Sequence, residues 1–150
     1  MKKLLTLLLL SNTTIFAQSV TPNVADGTPA ELSYEVDAIA LTIVAEAGGE
    51  GEIGMSLVAD VIHTRMIRRR LTAYEVVAQP KQFVGFMKGD RTHRQYPYAV
   101  MLAEMLTSGL DPMPNFSFDQ FRAFEKSPIP SWAIGATVYK NHVFFNEEEK

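Results

Sequence analysis

Glu46 is the residue whose surroundings most need a chemical explanation. It closes the uncharged run "AIALTIVA" and is followed by a glycine pair and two further glutamates, in "AIALTIVAEAGGEGEIG" (Ala38 to Gly54). A carboxylic acid held against apolar neighbours has its charged form disfavoured, and the negative carbonyl end of a helix disfavours it again. An acid raised in that way keeps its proton near neutral pH and can donate it, as cleavage of a glycosidic bond requires. The same residue types equally suit a carboxylate that turns to water at a solvated helix end. Glu50 is the nearest second carboxylate, but the intervening glycines mean that the two need not share a helix face; the start of a following helix also suits it. A hydrolase using two carboxylates needs them ~5–5.5 Å or ~6.5–9.5 Å apart, whereas a transglycosylase can work with one acid that later serves as base.

Other chemistries are excluded or unsupported. With no cysteine in the chain, a thiol nucleophile, a Cys-ligated metal and a disulfide framework all fall away. No Gly-x-Ser-x-Gly motif is present. His63, His93 and His142 lack a metal-binding spacing, so neither a metal nor a cofactor is expected. His142 precedes an aromatic run and suits either a hydrogen-bonding core position or a donor in a cleft.

The elements that must position these residues can be read from periodicity. From Ser33 to Ala47 the apolar residues cover almost the whole helical circumference, which is the pattern of a buried helix with Ser33 as N-cap. Gly48 and Gly49 are expected to end it in the left-handed conformation, which puts Glu46 in its last turn. A second helix is predicted over Glu52 to Arg69, with Met55, Val58, Val61, Ile62 and Met66 facing the core. A capping box from Thr72 to Glu75 opens a short third helix before Pro80. A fourth runs from Pro97 to Gly109. The β-branched and aromatic "TVYKNHVFF" predicts one or two short strands. The fold class is α+β: a mostly helical domain closed by a short C-terminal β-hairpin or strand pair.

At 150 residues, 47% hydrophobic and 21% charged, the chain suits one domain with a real core. Its first residues, "MKKLLTLLLLSNTTIFAQS", carry the basic, apolar and small-residue zones of a secretory signal. The signal is assigned to residues 1–17, a flexible lead-in to 18–33 and the domain to 34–150, with a mature N-terminus at Gln18 or Val20. The apolar run is well short of the ~20 residues a span needs, so no stable membrane span is expected after processing; a membrane-retained signal-anchor is the alternative. The expected location is the periplasm, the cell wall or outside the cell. Formal net charge is −3, and loss of Lys2 and Lys3 makes the mature chain more acidic still, which argues against nucleic acid as a partner. The one basic run, Arg65 with Arg68 to Arg70, suits a solvated helix end or a rim that attracts carboxylates.

Two loop segments, "AQPKQFVGF" and "NFSFDQFRAF", are dense in amides and aromatic rings and precede Trp132. Sugar rings stack on aromatic faces while amides pair with hydroxyls, so these segments suit a saccharide.

In their order and intervals, "LTIVAEAGGEGEIGMSLVADVIHTR", "VVAQPKQF", "GLDP", Trp132 and "HVFF" resemble the cell-wall hydrolase family of the spore-cortex-lytic enzymes, over Asp37 to Asn146. The resemblance implies a small lysozyme-like domain of lytic-transglycosylase type that cuts peptidoglycan between N-acetylmuramic acid and N-acetylglucosamine. The family's catalytic glutamate falls on Glu46. Gln82 and Phe83 match its Gln-Phe pair and would line the cleft, His142 matches its histidine, and Glu50 and Trp132 join them as substrate-binding candidates. The chain departs from the pattern at Thr64, where an asparagine is usual, at Gly48, where a large residue is common, and at "MPNFSF", which replaces a Gly-Ala-rich stretch. The expected activity is therefore cleavage of peptidoglycan glycan strands by a monomer, with transglycosylase chemistry favoured over hydrolysis. The competing expectation is a non-catalytic peptidoglycan-binding module or a structural envelope or virion protein.

Overall fold

Helix α1, Tyr34–Ala47, begins where Ser33 caps it: the serine Oγ accepts the Val36 N–H at 3.2 Å. Glu35 and Asp37 in its first turn complement the helix dipole. Its apolar circumference makes it the central helix. Ala38, Ile39, Ala40 and Ile43 are wholly buried, and α1 packs against α2, Gly51–Arg69, α3, Ala73–Ala78, and α4, Tyr96–Thr107. The computed structural model describes residues 33–126 and 128–147, all within one compact unit, Glu31–Lys150. The assigned signal, residues 1–17, and all of the lead-in except Ser33 lie outside the described residues. Among the described residues no helix is long and apolar enough to cross a membrane.

The end of α1 differs from expectation. Gly48 is right-handed (φ −58°, ψ −36°), and the chain continues through a 3-10 turn, Gly48–Glu50, directly into α2. Positive φ falls instead on Gly51, at 83°. Gly48 is small for a different reason: a Cβ there would come within 3.2 Å of the His93 ring and 3.3 Å of Val44. Helix α2 ends on Arg70 in the left-handed region, with the Leu71 N–H reaching back to the Met66 carbonyl at 3.1 Å. The Thr72–Glu75 capping box of α3 is formed in both directions, and α4 starts around Pro97 and ends before Gly109, which has φ +71°.

Three strands, not the expected pair, complete the fold. Strands β1, Gln120–Ala123, β2, Ala133–Tyr139, and β3, His142–Glu147, form an antiparallel sheet in the order β1-β3-β2. β2 and β3 make the predicted hairpin through Lys140 and Asn141, with an irregular register between Ile134 and Thr137. β1 lies within "NFSFDQFRAF", read from sequence as loop. Its partner is β3, Gln120 opposite Phe145 and Ala123 opposite His142, and a pairing that distant leaves no local period to detect. Phe144, on the same side of β3 as His142, joins the helical core through Phe118 and Phe121.

The arginine run divides: Arg68, Arg69 and Arg70 are exposed at the end of α2, as a solvated helix end requires, and only Arg65 is placed differently. Arg65 is neither solvated nor on a rim: it is 3% exposed, its Nε donates to the Asp119 carbonyl at 2.7 Å, and its guanidinium lies over the Phe83 ring. It joins α2 to the start of β1. Burial brings its pKa down to about 10, which leaves it charged at any physiological pH. Arg68 pairs with the Asp119 carboxylate beside it.

Candidate functional site

Glu46 sits in the last turn of α1, half-buried, with no basic residue in that turn. Its Oε1 accepts the Gly85 N–H at 2.6 Å. Among the described residues its other oxygen makes no hydrogen bond, so one oxygen is fixed and one is free to face a ligand. The fixing contact depends on Gly85 having no side chain, because a Cβ would stand 2.6 Å from the Ala45 Cβ and 3.0 Å from Oε1 itself. The same loop is held to α1 at two further points. Thr42 Oγ1 accepts the Met87 N–H at 3.2 Å, and Gly89 lies directly against the Leu41 carbonyl. Glycines at 85 and 89 are thus what lets the loop approach α1 so closely.

Beside Glu46 opens a cleft of about 520 Å³. Lys81, Gln82 and Val84 from the α3–α4 loop form one side, and Phe121, Arg122 and Ala123 of β1 with His142 of β3 form the other. Glu46 is the one carboxylate among these lining residues. Gln82 is where the sequence placed it, and its Oε1 accepts from Arg69 at 3.4 Å. Phe121, Arg122 and Lys81 were not singled out from sequence; the strand that brings the first two was not visible there.

The sheet side is organised by a buried carboxylate. Glu50 is 4% exposed and does not line the cleft; its Oε1 pairs closely with Nδ1 of His142, and its Oε2 is buried without a partner. Gly54, one helical turn further along α2, makes room for it, since a Cβ there would come within 3.0 Å of Oε2. The Glu50 backbone carbonyl accepts from Lys140 Nζ. His142 also lies 5.5 Å from the Phe121 ring, centroid to centroid. The expected substrate contact from Glu50 is therefore replaced by a supporting role, in which it fixes the imidazole that reaches the cleft.

Two further candidates are placed elsewhere. Phe83 was expected in the cleft wall, but it is 5% exposed and packed between Arg65 and Phe121, because the turn that exposes Gln82 and Val84 points it inward. Trp132 packs edge-on against Phe145, 5.5 Å away. Phe145 is one residue from Phe144, so it faces the side of the sheet opposite His142, and Trp132 is not among the cleft residues.

No protein-family model, curated protein or solved structure matches the chain. The chemistry of the cleft is accordingly argued from its own side chains. Among the described residues no group of three or more His, Asp or Glu side chains is arranged to hold a metal ion.

Shifted titrating groups also lie outside the cleft. Asp60 on α2 is wholly buried; Oδ2 accepts the Phe118 N–H at 2.8 Å, while Oδ1 has no partner. Burial raises its pKa to about 6, against the lowering effect of that hydrogen bond. Asp37, at the other end of α1, is held below the usual range by hydrogen bonding to Arg91.

Proposed function

We propose that this protein is an exported, monomeric glycosidase of lysozyme-like, lytic-transglycosylase type that cleaves the glycan strands of peptidoglycan, with Glu46 as its general acid and base. The carrying observation is a single glutamate at the end of an apolar helix, one oxygen fixed by a backbone N–H and the other free, in a cleft large enough for a saccharide. In the first step Glu46 gives its proton to the glycosidic oxygen as the bond from that oxygen to the anomeric carbon breaks. In the second, the sugar's own 6-hydroxyl oxygen bonds to the anomeric carbon and its proton returns to Glu46, leaving a 1,6-anhydro end and the acid ready for another turnover.

Transglycosylation is favoured over hydrolysis because Glu46 is the one lining carboxylate and Glu50 is already engaged by His142. Gln82 and His142 supply hydrogen bonds to sugar hydroxyls or amides, and Phe121 supplies an aromatic face. The test is digestion of purified cell walls with mass analysis of the products. Wild type should release fragments with anhydro ends. Reducing ends would mean hydrolysis, and no fragments at all would leave a binding module.

A further inference from the structure

The imidazole in the cleft is held on three sides. The Phe121 ring lies 5.5 Å from it and the Phe144 ring 6.1 Å, centroid to centroid, while Nδ1 is paired with the Glu50 carboxylate. Its remaining nitrogen, Nε2, makes no hydrogen bond among the described residues, yet it is not sealed from solvent. Since His142 lines the cavity beside Glu46, Nε2 is the polar atom it offers there.

Glu50 decides what that atom can do. The residue is the N-cap of α2, where the helix dipole favours negative charge, and the Lys140 ammonium donates to its backbone carbonyl. An ionised carboxylate only accepts hydrogen bonds, so the ring proton lies on Nδ1. In the neutral imidazole Nε2 is then bare, and it accepts. The groups across the cleft are engaged differently. With Gln82 Oε1 taken by Arg69 at 3.4 Å, the Gln82 side-chain N–H groups are left to donate, and the free oxygen of Glu46 is committed to the glycosidic oxygen. A sugar hydroxyl can turn to suit either kind of partner, whereas an amide N–H can only donate. The sugar substituent that needs a fixed acceptor is therefore a secondary amide.

We infer that His142, its tautomer set by Glu50, is the residue that selects 2-acetamido sugars, with Nε2 accepting the acetamido N–H. This rests on the glycan-cleaving reading of the same cleft and adds to it the residue that tells an N-acetylated strand from another β-1,4-linked glycan. Glu50 is a positioning residue that does not touch the ligand: it is 4% exposed and outside the cavity lining.

The test has two arms, both on Glu46→Gln protein, which leaves the strand intact. Nitrogen NMR of His142 at pH ~8, above the ordinary imidazole range, should show a proton on Nδ1 and none on Nε2. Oligomers of N-acetylglucosamine should bind about tenfold more tightly than β-1,4-linked glucose oligomers of equal length, the scale of one hydrogen bond together with the cost of leaving its acceptor unmet. Adding His142→Asn, which keeps a donor near the Nδ1 position and removes Nε2, should abolish the gap and leave affinity for glucose oligomers unchanged. Adding Glu50→Gln, whose amide can either accept from Nδ1 or donate to it, should give a mixture of tautomers and a narrower gap, effects that a purely structural contact would not produce. A proton found on Nε2, equal affinity for the two oligomers, a gap that survives His142→Asn, a tautomer unmoved by Glu50→Gln, or failure to bind either oligomer overturns the assignment. If wild type cuts no wall but the gap is present and depends on His142, cleavage falls and the acetamido contact stands; cutting without a gap gives the reverse.

Discussion

The two walls of the cleft are built by different means. On the helix wall, Glu46 and its support lie close to α1: a loop is pulled against the helix by contacts at Thr42, Gly85 and Gly89 that depend on small or hydroxyl residues. On the sheet wall, His142 is held by Glu50, 92 residues away in sequence, and faces the cleft only because β3 lies between β1 and β2. Backbone contact holds the acid, and a buried side-chain pair holds the imidazole. The helix wall should therefore fail by steric intrusion and the sheet wall by loss of a buried partner.

The largest effect should come from the acid itself. Glu46→Gln preserves size and can still accept the Gly85 N–H, so the fold should survive while wall-lytic activity falls at least ~10²-fold. A folded variant that keeps its activity in a wall-clearing assay would remove Glu46 from the mechanism.

Next in size is the joint between the walls. Asp60 on α2 holds the backbone of Phe118 just before β1, and its folded pKa, raised to about 6, lies above the ordinary 3.8. A group shifted upward favours the folded state fully only below its unfolded pKa, and that contribution is lost as pH rises through about 6. Asp60→Asn removes the titration. Its stability relative to wild type should thus drop as pH falls from 7 to 4, by up to ~3 kcal/mol, as read from melting curves across that range. Parallel curves for the two proteins would show that Asp60 does not titrate there.

Steric intrusion on the helix wall follows. Gly85→Val should cost ~1–3 kcal/mol and displace the N–H from Glu46, lowering turnover by more than the loss of stability explains. On the sheet wall, Glu50→Ala leaves His142 without its partner and should cost ~1–3 kcal/mol, with the chemical shift of the imidazole reporting the change directly. The smallest effect is expected at Trp132, which is 44% exposed and stands away from the cleft. Trp132→Ala should leave cleavage nearly unchanged and cost at most ~1 kcal/mol.

The contrast between the walls also explains what could be read from the sequence. The helices were legible because their signals are local: Ser33 as a cap, the Thr72–Glu75 box, Pro97 near a helix start, and an apolar circumference for α1. The end of α1 was misread because glycine marks both left-handed caps and close approaches, and Gly48 serves the second purpose. Strand β1, the inward turn of Phe83 and the burial of Arg65 all depend on where β3 returns, which no local period encodes. Gln82 could be placed in the cleft from its segment, but the reason Glu50 is buried lies in a histidine at the far end of the chain. The candidate acid was the most legible feature of the site, since an isolated carboxylate on an apolar helix is conspicuous without any knowledge of its neighbours.

The irregular register of β2 has a consequence for how copies of this protein behave toward one another. β2 is an edge strand of seven residues without a charged side chain, exposed along most of its length, and a flat strand of that composition would invite another chain to add to the sheet. Gly135, at φ +65°, and the break between Ile134 and Thr137 interrupt the row of backbone donors and acceptors. A bulged edge of this kind twists out of the plane that a neighbouring strand would need. The defect in the ladder therefore acts as protection against self-association, and a change that straightened it would turn the exposed edge into a template for aggregation.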